Sequence, residues 1–167
     1  MSISMYQASA PRFAHTLKSL SAILAKAQAH CEAKKIDPLV LAGSRLFPDM
    51  FPLSRQVQVA CDSAKGAVGR LAGVEIPKHE DTEKTLEELR ARIAKTLDFI
   101  ASVKPAQIDG SEEKEIVLKL RGNDTPFLGM QYLLGFVYPN FYFHAATAYN
   151  ILRHNGVEIG KADFLGG

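Results

Sequence analysis

The chain has 167 residues, 47% of them hydrophobic and 23% charged, with a formal net charge of +2 and no tryptophan. Charges of both signs are scattered along it and nearly cancel, which excludes the basic footprint of a nucleic-acid binder and the polybasic patch of a membrane-surface protein. A single domain, 1–167, of this size buries roughly 70% of its unfolded surface, so its core needs no disulfide or metal, and no cofactor is expected.

Phe13, Leu17, Leu20, Ile23, Leu24, Ala27 and Cys31 recur at three- and four-residue intervals and predict an amphipathic helix over 10–35. Asp37-Pro38 interrupts it, and a connection with Gly43, Pro48 and Pro52 follows. Phe47, Met50, Phe51 and Leu53 make that connection apolar enough that it is expected to pack across the bundle. A second helix is predicted over 53–72, with Val57, Ala60, Cys61, Ala64, Ala67, Val68 and Leu71 on one face, small enough for close helix approach, and Gly73 at its end. A third helix is expected from 81 or 82, with acids in its first turns, a stripe of Leu86, Leu89, Ile93, Leu97 and Ile100, and a charged outer face that reads as solvated surface.

Residues 115–120 alternate like a strand, Arg121-Gly122-Asn123-Asp124 supplies turn chemistry, and a second short strand at 126–130 completes a hairpin. The last helix is predicted from near 131, with Pro139 kinking or breaking it at Tyr138. The stretch 132–151 is almost long enough to span a membrane but contains Pro139, Asn140, His144, Thr147 and Asn150, so a buried core helix fits it better. Arg153-His154-Asn155-Gly156 is a good helix stop, and the terminal Phe164-Leu165 pair is expected to dock on the bundle. Cys31 and Cys61 have no CxxC or zinc-like spacing and read as buried thiols; with no secretory pattern at the N-terminus, the cytoplasm is the expected location.

On the last helix Asn140, His144, Thr147, Ile151 and His154 share one side, with Asn150 at its margin. Such a stripe is either a solvent-facing edge, or hydrogen-bonded core polars, or a pocket wall with His144 as acid, base or ligand. On the second helix Gln58, Asp62 and Lys65 share a face near Arg55. An Asp62–Lys65 surface pair is the plain reading there; if the face points inward, Asp62 is placed to orient or charge-stabilise a histidine of the last helix. His15, His30 and His79 lack partners at metal-ligand spacing and read as surface or structural. The sequence contains no HExxH, GxSxG, P-loop or dinucleotide glycine pattern.

The helix order, the hairpin before the last helix, and the segments Gln56-Val57-Gln58-Val59-Ala60-Cys61-Asp62-Ser63-Ala64-Lys65, Pro139-Asn140-Phe141-Tyr142-Phe143-His144, Ala148-Tyr149-Asn150-Ile151-Leu152-Arg153-His154-Asn155-Gly156-Val157 and Gly160-Lys161-Ala162-Asp163-Phe164-Leu165-Gly166 resemble a bacterial domain-of-unknown-function family of the DinB/YfiT-like superfamily. The resemblance covers essentially the whole chain and implies a mainly all-α fold, a four-helix bundle with a small β-hairpin before the last helix. That superfamily usually carries a metal on three histidines, one on the second helix and two spaced HxxxH on a later one, and includes thiol-dependent transferases and isomerases. Here His154-Asn155-Gly156 resembles the second HxxxH ligand and its surroundings, but Asn150 stands four residues earlier and the second helix offers only Gln58, Cys61 and Asp62. Amide nitrogen and oxygen are poor nickel or zinc ligands, and His144 and His154 lie about 15 Å apart along an unbroken helix, so no metal site is expected.

The favoured expectation is a cytoplasmic homodimer that binds a small ligand in a pocket near His144, with His144, Tyr149 and Asp62 as catalytic candidates and Asn140, Gln58, Asn150 and His154 as ligand contacts. The alternatives are a metal- or thiol-dependent transferase or isomerase of the DinB-like type, with His154 as a ligand, and a non-catalytic interaction module.

Overall fold

The structure, a computed structural model, describes residues 2–167. Its elements run α1 (Met5–Ala8), α2 (Ala10–Lys34), α3 (Pro38–Ala42), α4 (Leu53–Ala72), α5 (Leu86–Ser102), α6 (Pro105–Ile108), β1 (Glu115–Leu120), β2 (Asn123–Leu128), α7 (Gly129–Gln131), a π-helical segment (Tyr132–Val137), α8 (Tyr138–His154) and α9 (Lys161–Leu165). The long helices α2, α4, α5 and α8 form the bundle, with α8 packed chiefly on α4 and α2 on α5. Their apolar stripes meet in one core that includes Phe13, Leu17, Ile23, Val57, Ala60, Ala64, Leu89, Ile93, Phe141, Ala148 and Ile151. Phe13 and Phe141 meet edge to face at 5.0 Å in its centre. Among the described residues no helix is long and apolar enough to cross a membrane.

Several boundaries have local causes that the pattern of apolar residues does not reveal. The third bundle helix starts at Leu86 rather than at 81 or 82, because Thr85 caps it: the Thr85 hydroxyl accepts the Glu88 amide at 3.2 Å while the Glu88 carboxylate accepts the Thr85 amide at 3.0 Å. The second strand begins at Asn123, not Pro126, since the hairpin closes on the two residues Arg121 and Gly122, both with positive φ (50° and 85°), the geometry a tight hairpin turn needs. Pro139 does not kink the last helix sharply. The six residues before α8 widen instead into the π segment, with the Tyr138 amide reaching back to the Leu133 carbonyl, which gives the proline ring room where an α-turn would press it against residue 135.

Two expectations about exposure are also corrected. The 36–52 connection only partly packs: Leu41 and Ala42 are buried, but Val40 and Phe47 are 66% and 63% exposed. At the C-terminus Phe164 docks against Tyr149 (ring centroids 5.8 Å apart) and the Leu165 carbonyl receives His15 Nε2 at 2.7 Å, whereas the Leu165 side chain stays in solvent.

On α5 the charged outer face is solvated, with Glu87, Glu88, Arg90, Lys95 and Asp98 exposed, but one charge lies on the inward stripe. Arg92 is 1% exposed and occupies the same helical stripe as Leu89, Ile93 and Thr96. Its Nη2 donates to both oxygens of Asp62 at 3.0 Å and lies 3.0 Å from Asp81, while Nη1 donates to Glu83 at 3.1 Å and to the Glu80 carbonyl at 3.0 Å. Burial alone would depress the Arg92 pKa, but Asp62, Glu83 and Asp81 outweigh it and hold the group more firmly charged than usual. Lys65, also buried, adds a 3.1 Å contact to Asp62, so that pair is not a surface salt bridge. Asp81, still largely in solvent, and the more buried Glu83 therefore serve as partners of Arg92 rather than as the first acids of a helix.

Replacing Arg92 by Met keeps the volume but leaves three carboxylates facing one another without their common cation. Removing one partner of a buried pair typically costs about 3–5 kcal/mol, and a loss in that range is expected in urea unfolding of Arg92→Met; a loss below about 1 kcal/mol would mean that the cluster does not hold the α4–α5 connection.

Candidate functional site

The α4–α8 interface is built for close approach, with Ala60, Ala64 and Ala67 on one side and Ala145 and Ala148 on the other, all buried. Two polar pairs cross it. The Asn140 amide donates to the Ser63 hydroxyl at 2.7 Å, and His144 Nδ1–H donates to the Gln56 carbonyl oxygen at 2.6 Å. Moving forward along α8 thus moves backward along α4, so the helices are antiparallel, and this register decides which candidate residues can meet.

At the Gln56 end, His144 is 8% exposed and stacks on Phe51 (centroids 6.4 Å apart, 22° between planes). Gln56 in turn donates to the Phe51 carbonyl at 3.1 Å, so the imidazole, the amide and the incoming loop form one chain of contacts. Donation from Nδ1–H leaves the lone pair on Nε2. Burial, and then the charge of Arg55, lower the His144 pKa, keeping the ring neutral. Beside it lies a shallow hollow of about 220 Å³ lined by Asp49, Met50, Phe51, Gln56, Phe143 and His144.

At the Ser63 end the interface opens into a larger cleft of about 370 Å³. Asp62, Ser63 and Arg70 of α4 form one wall, Leu118, Lys119 and Leu120 of β1 a second, and Tyr132, Phe136, Val137 and Asn140 the third. The π segment and the hairpin position the last two walls. Asp62, its side chain 40% exposed, stands at the boundary between this cleft and the Arg92 cluster. A still larger groove of about 500 Å³ runs between α2 and α5; Ala10, Pro11, Ala14, Ala94, Leu97, Ile100 and Ala101 dominate its lining, with Tyr6, Lys18 and Asp98 as its polar residues.

The candidates from sequence are therefore divided. Asp62 is engaged by Arg92 and Lys65 and makes no hydrogen bond to His144. Gln58 donates to Glu83 at 3.0 Å and joins the same cluster. Asn140 reaches the cleft through Ser63. Tyr149 packs against Phe164, while Asn150 and His154 are exposed near the end of α8, away from the other candidates. Gln56, Ser63, Arg70, Arg92 and the Tyr132–Phe136 pair are the participants that sequence reasoning missed. Only Arg92 carried a legible signal, since it falls on the i, i+3, i+4 stripe of Leu89, Arg92 and Ile93.

The residues present do not fit the three-histidine metal centre of the DinB-like superfamily. Asn140 meets Ser63, so His154, fourteen residues further along α8, lies roughly 20 Å along the helix from the level of Asp62. Cys61 is no substitute ligand, because burial, only partly opposed by a hydrogen bond to Thr96, pushes its thiol up to about 12. Among the described residues no three His, Cys, Asp or Glu side chains are grouped so as to hold a metal.

His79, on the α4–α5 connection, has its pKa lowered by burial and then by Lys65 and Arg92. It shares with His144 a folded pKa below the unfolded value of about 6.5. Below that value the unfolded chain binds protons that the fold resists, so stability is complete above about pH 6.5 and falls as the pH drops. Urea unfolding at pH 7.5 and 5.5 is expected to show this loss, and His144→Gln, which can still donate to Gln56, to show a smaller one; equal losses in the two proteins would remove His144 from the account.

The model of a domain of unknown function, DUF1993, matches residues 5–165. The chain is similar to a DinB family member protein from Shewanella denitrificans, whose crystal structure superimposes with a TM-score of 0.91 at 45% identity, over 97% of this chain and 92% of that one. No curated protein matches it. The mainly helical architecture with one small antiparallel hairpin is thus a DinB-like fold, and the chain belongs to the DUF1993 family.

Proposed function

We propose that the protein is a cytoplasmic small-ligand-binding member of the DinB-like fold that works without the superfamily's metal centre, and that its ligand enters the cleft at the Ser63 end of the α4–α8 interface. The observation that carries this reading is the convergence of Ser63, Asn140, Arg70 and Tyr132, with Asp62 and Lys119 at its edges, on a cleft of about 370 Å³ whose remaining lining is Leu118, Leu120, Phe136 and Val137, a size and polarity suited to a small organic molecule. His144 stands one helical turn along α8 from Asn140, and its hollow is the second place where a ligand fits; the neutral imidazole with a free Nε2 lone pair favours it as a base or acceptor. In either position the donor set is one of hydrogen bonds and charge, not of metal ligands.

Thermal-shift screening of the full-length, untagged protein tests this, together with elemental analysis of the same preparation. A compound at a hundred times its Kd adds about 2.7 kcal/mol, or roughly 5–10 °C in Tm for a chain of this size. Ser63→Leu, which fills the mouth of the cleft, is expected to abolish that shift while His144→Gln preserves it. The reverse pattern would move the ligand to the His144 hollow. Stoichiometric bound metal, or no stabilising compound at all, would overturn the reading.

The homodimer belongs with this reading. Phe51 and Phe143, 50% and 56% exposed, flank the His144 hollow and leave an apolar surface beside the site. Light scattering is expected to return twice the 18.3 kDa chain mass for the wild type and the monomer mass for Phe143→Glu; a monomeric wild type would refute the dimer.

A further inference from the structure

Arg70 lies apart from the cation–carboxylate cluster at the other end of the cleft. There, Arg55, Lys65 and Arg92 are matched by Asp62, Asp81 and Glu83, so Asp62 brings no uncompensated negative charge to the cleft wall. Arg70 has no such partner: among the described residues no carboxylate pairs with it, and its one side-chain hydrogen bond is from Nη1 to the Tyr132 hydroxyl at 3.2 Å. Its remaining donors are open to the cleft, where an anion can reach them. Lys119, across the cleft on β1, adds a second positive charge to the same space.

The backbone leaves this guanidinium room. Gly66 is one turn before Arg70 on α4, and a Cβ at residue 66 would collide with Nη1 of Arg70. The bare glycine therefore lets the side chain fold back along the helix toward the cleft instead of extending into solvent. Beside it, Tyr132 and Phe136 are stacked with centroids 6.1 Å apart and 16° between planes, and Phe127 backs both, at 6.2 and 5.7 Å. These two aromatic residues come from the π segment, whose extra residue per turn also accommodates Pro139.

We propose that this cleft is an anion-binding site in which the Arg70 guanidinium, beside Gly66, holds the carboxylate or phosphate of a small aromatic compound whose ring packs on the partly exposed Phe136, with the buried Tyr132 stacked behind it. A planar guanidinium accepts either anion through two parallel hydrogen bonds, and the apolar residues Leu118, Leu120 and Val137 leave room for the ring but offer nothing polar to its edge. The inference rests on the assignment of the ligand to this cleft and adds the class of compound.

The test is an NMR titration of the full-length protein with benzoate, phenyl phosphate and neutral benzamide, following the backbone amides and the Arg70 Nε–H signal. At least one of the two anions is expected to shift the signals of Arg70, Tyr132 and Ser63 and to bind at least tenfold more tightly than benzamide, with an affinity that falls as salt rises. The tighter of the two identifies the anionic group. Arg70→Gln is expected to weaken that binding at least tenfold and Arg70→Lys to retain part of it. Gly66→Ala is the sharper variant, because alanine is the better helix former, so the fold is kept while the guanidinium is displaced; it too is expected to weaken anion binding tenfold and to leave benzamide unchanged. Anion affinities unaltered in both Arg70→Gln and Gly66→Ala, or shifts confined to residues outside the cleft, would overturn the proposal. If benzamide binds in a manner blocked by Ser63→Leu and the anions bind no more tightly, the anion site falls and the ligand cleft stands. If none of the three compounds moves a cleft signal, both fall.

Discussion

A guanidinium with almost no solvent contact cannot remain in a protein interior unless its charge is met, and Arg92 sets that condition for the whole upper half of this bundle. It is met by three carboxylates from two places, Asp62 on α4 and Asp81 and Glu83 on the connection to α5. The connection has no regular structure of its own between Gly73 and Thr85, so these contacts define its path across the helices. The same contacts keep α5 from starting earlier, although acids at 81 and 83 would suit a helix N-terminus. A buried charge thus overrides a local preference worth less than about 1 kcal/mol with interactions several times larger.

The α4–α8 interface follows a different logic. Alanines allow close approach but specify register poorly, since one small side chain packs much like the next. Two polar pairs remove that ambiguity, one buried and one half-buried. A shift of either helix would break the half-buried Asn140–Ser63 pair at one end and strand the buried His144 imidazole and Gln56 amide at the other, where an unpaired polar group costs about 1–3 kcal/mol. His144 is held further by its stack on Phe51, so the loop that enters α4 is tied to the same register. Its neutral state is part of this arrangement, because a charged ring would lose more to burial than one hydrogen bond returns.

The parts of the fold that were legible in the sequence are those written in apolar periodicity. The spans of α2, α4 and β1, the hairpin and the core faces of the long helices follow from spacing alone, and the DinB-like resemblance placed them in one architecture. What could not be read depends on partners far apart in sequence. Asp62 looked like half of an i, i+3 surface pair because Lys65 is its only near neighbour in the chain, and the Arg92 that engages it lies thirty residues away. The stripe from Asn140 to His154 is continuous on a helical projection, but only its first part faces α4, and by His154 the helix has run past its partner into solvent. Periodicity gives a direction around a helix; it does not say where along that helix a neighbour ends.

Charge separates the polar groups that hold the bundle together from the one that does not. In the Arg92 cluster every cation has its carboxylate, and the two polar pairs of the α4–α8 interface are neutral and mutually satisfied. Apart from the Arg92 Nε–H, which is buried without a partner, such groups are met within the chain. Arg70 differs: a bare glycine leaves it room and a tyrosine hydroxyl meets it, yet among the described residues no carboxylate pairs with it. If its purpose were to hold Tyr132 alone, a neutral donor would serve without the desolvation cost of a cation. Retaining a guanidinium over a bare glycine is accounted for by a partner that is not part of the polypeptide.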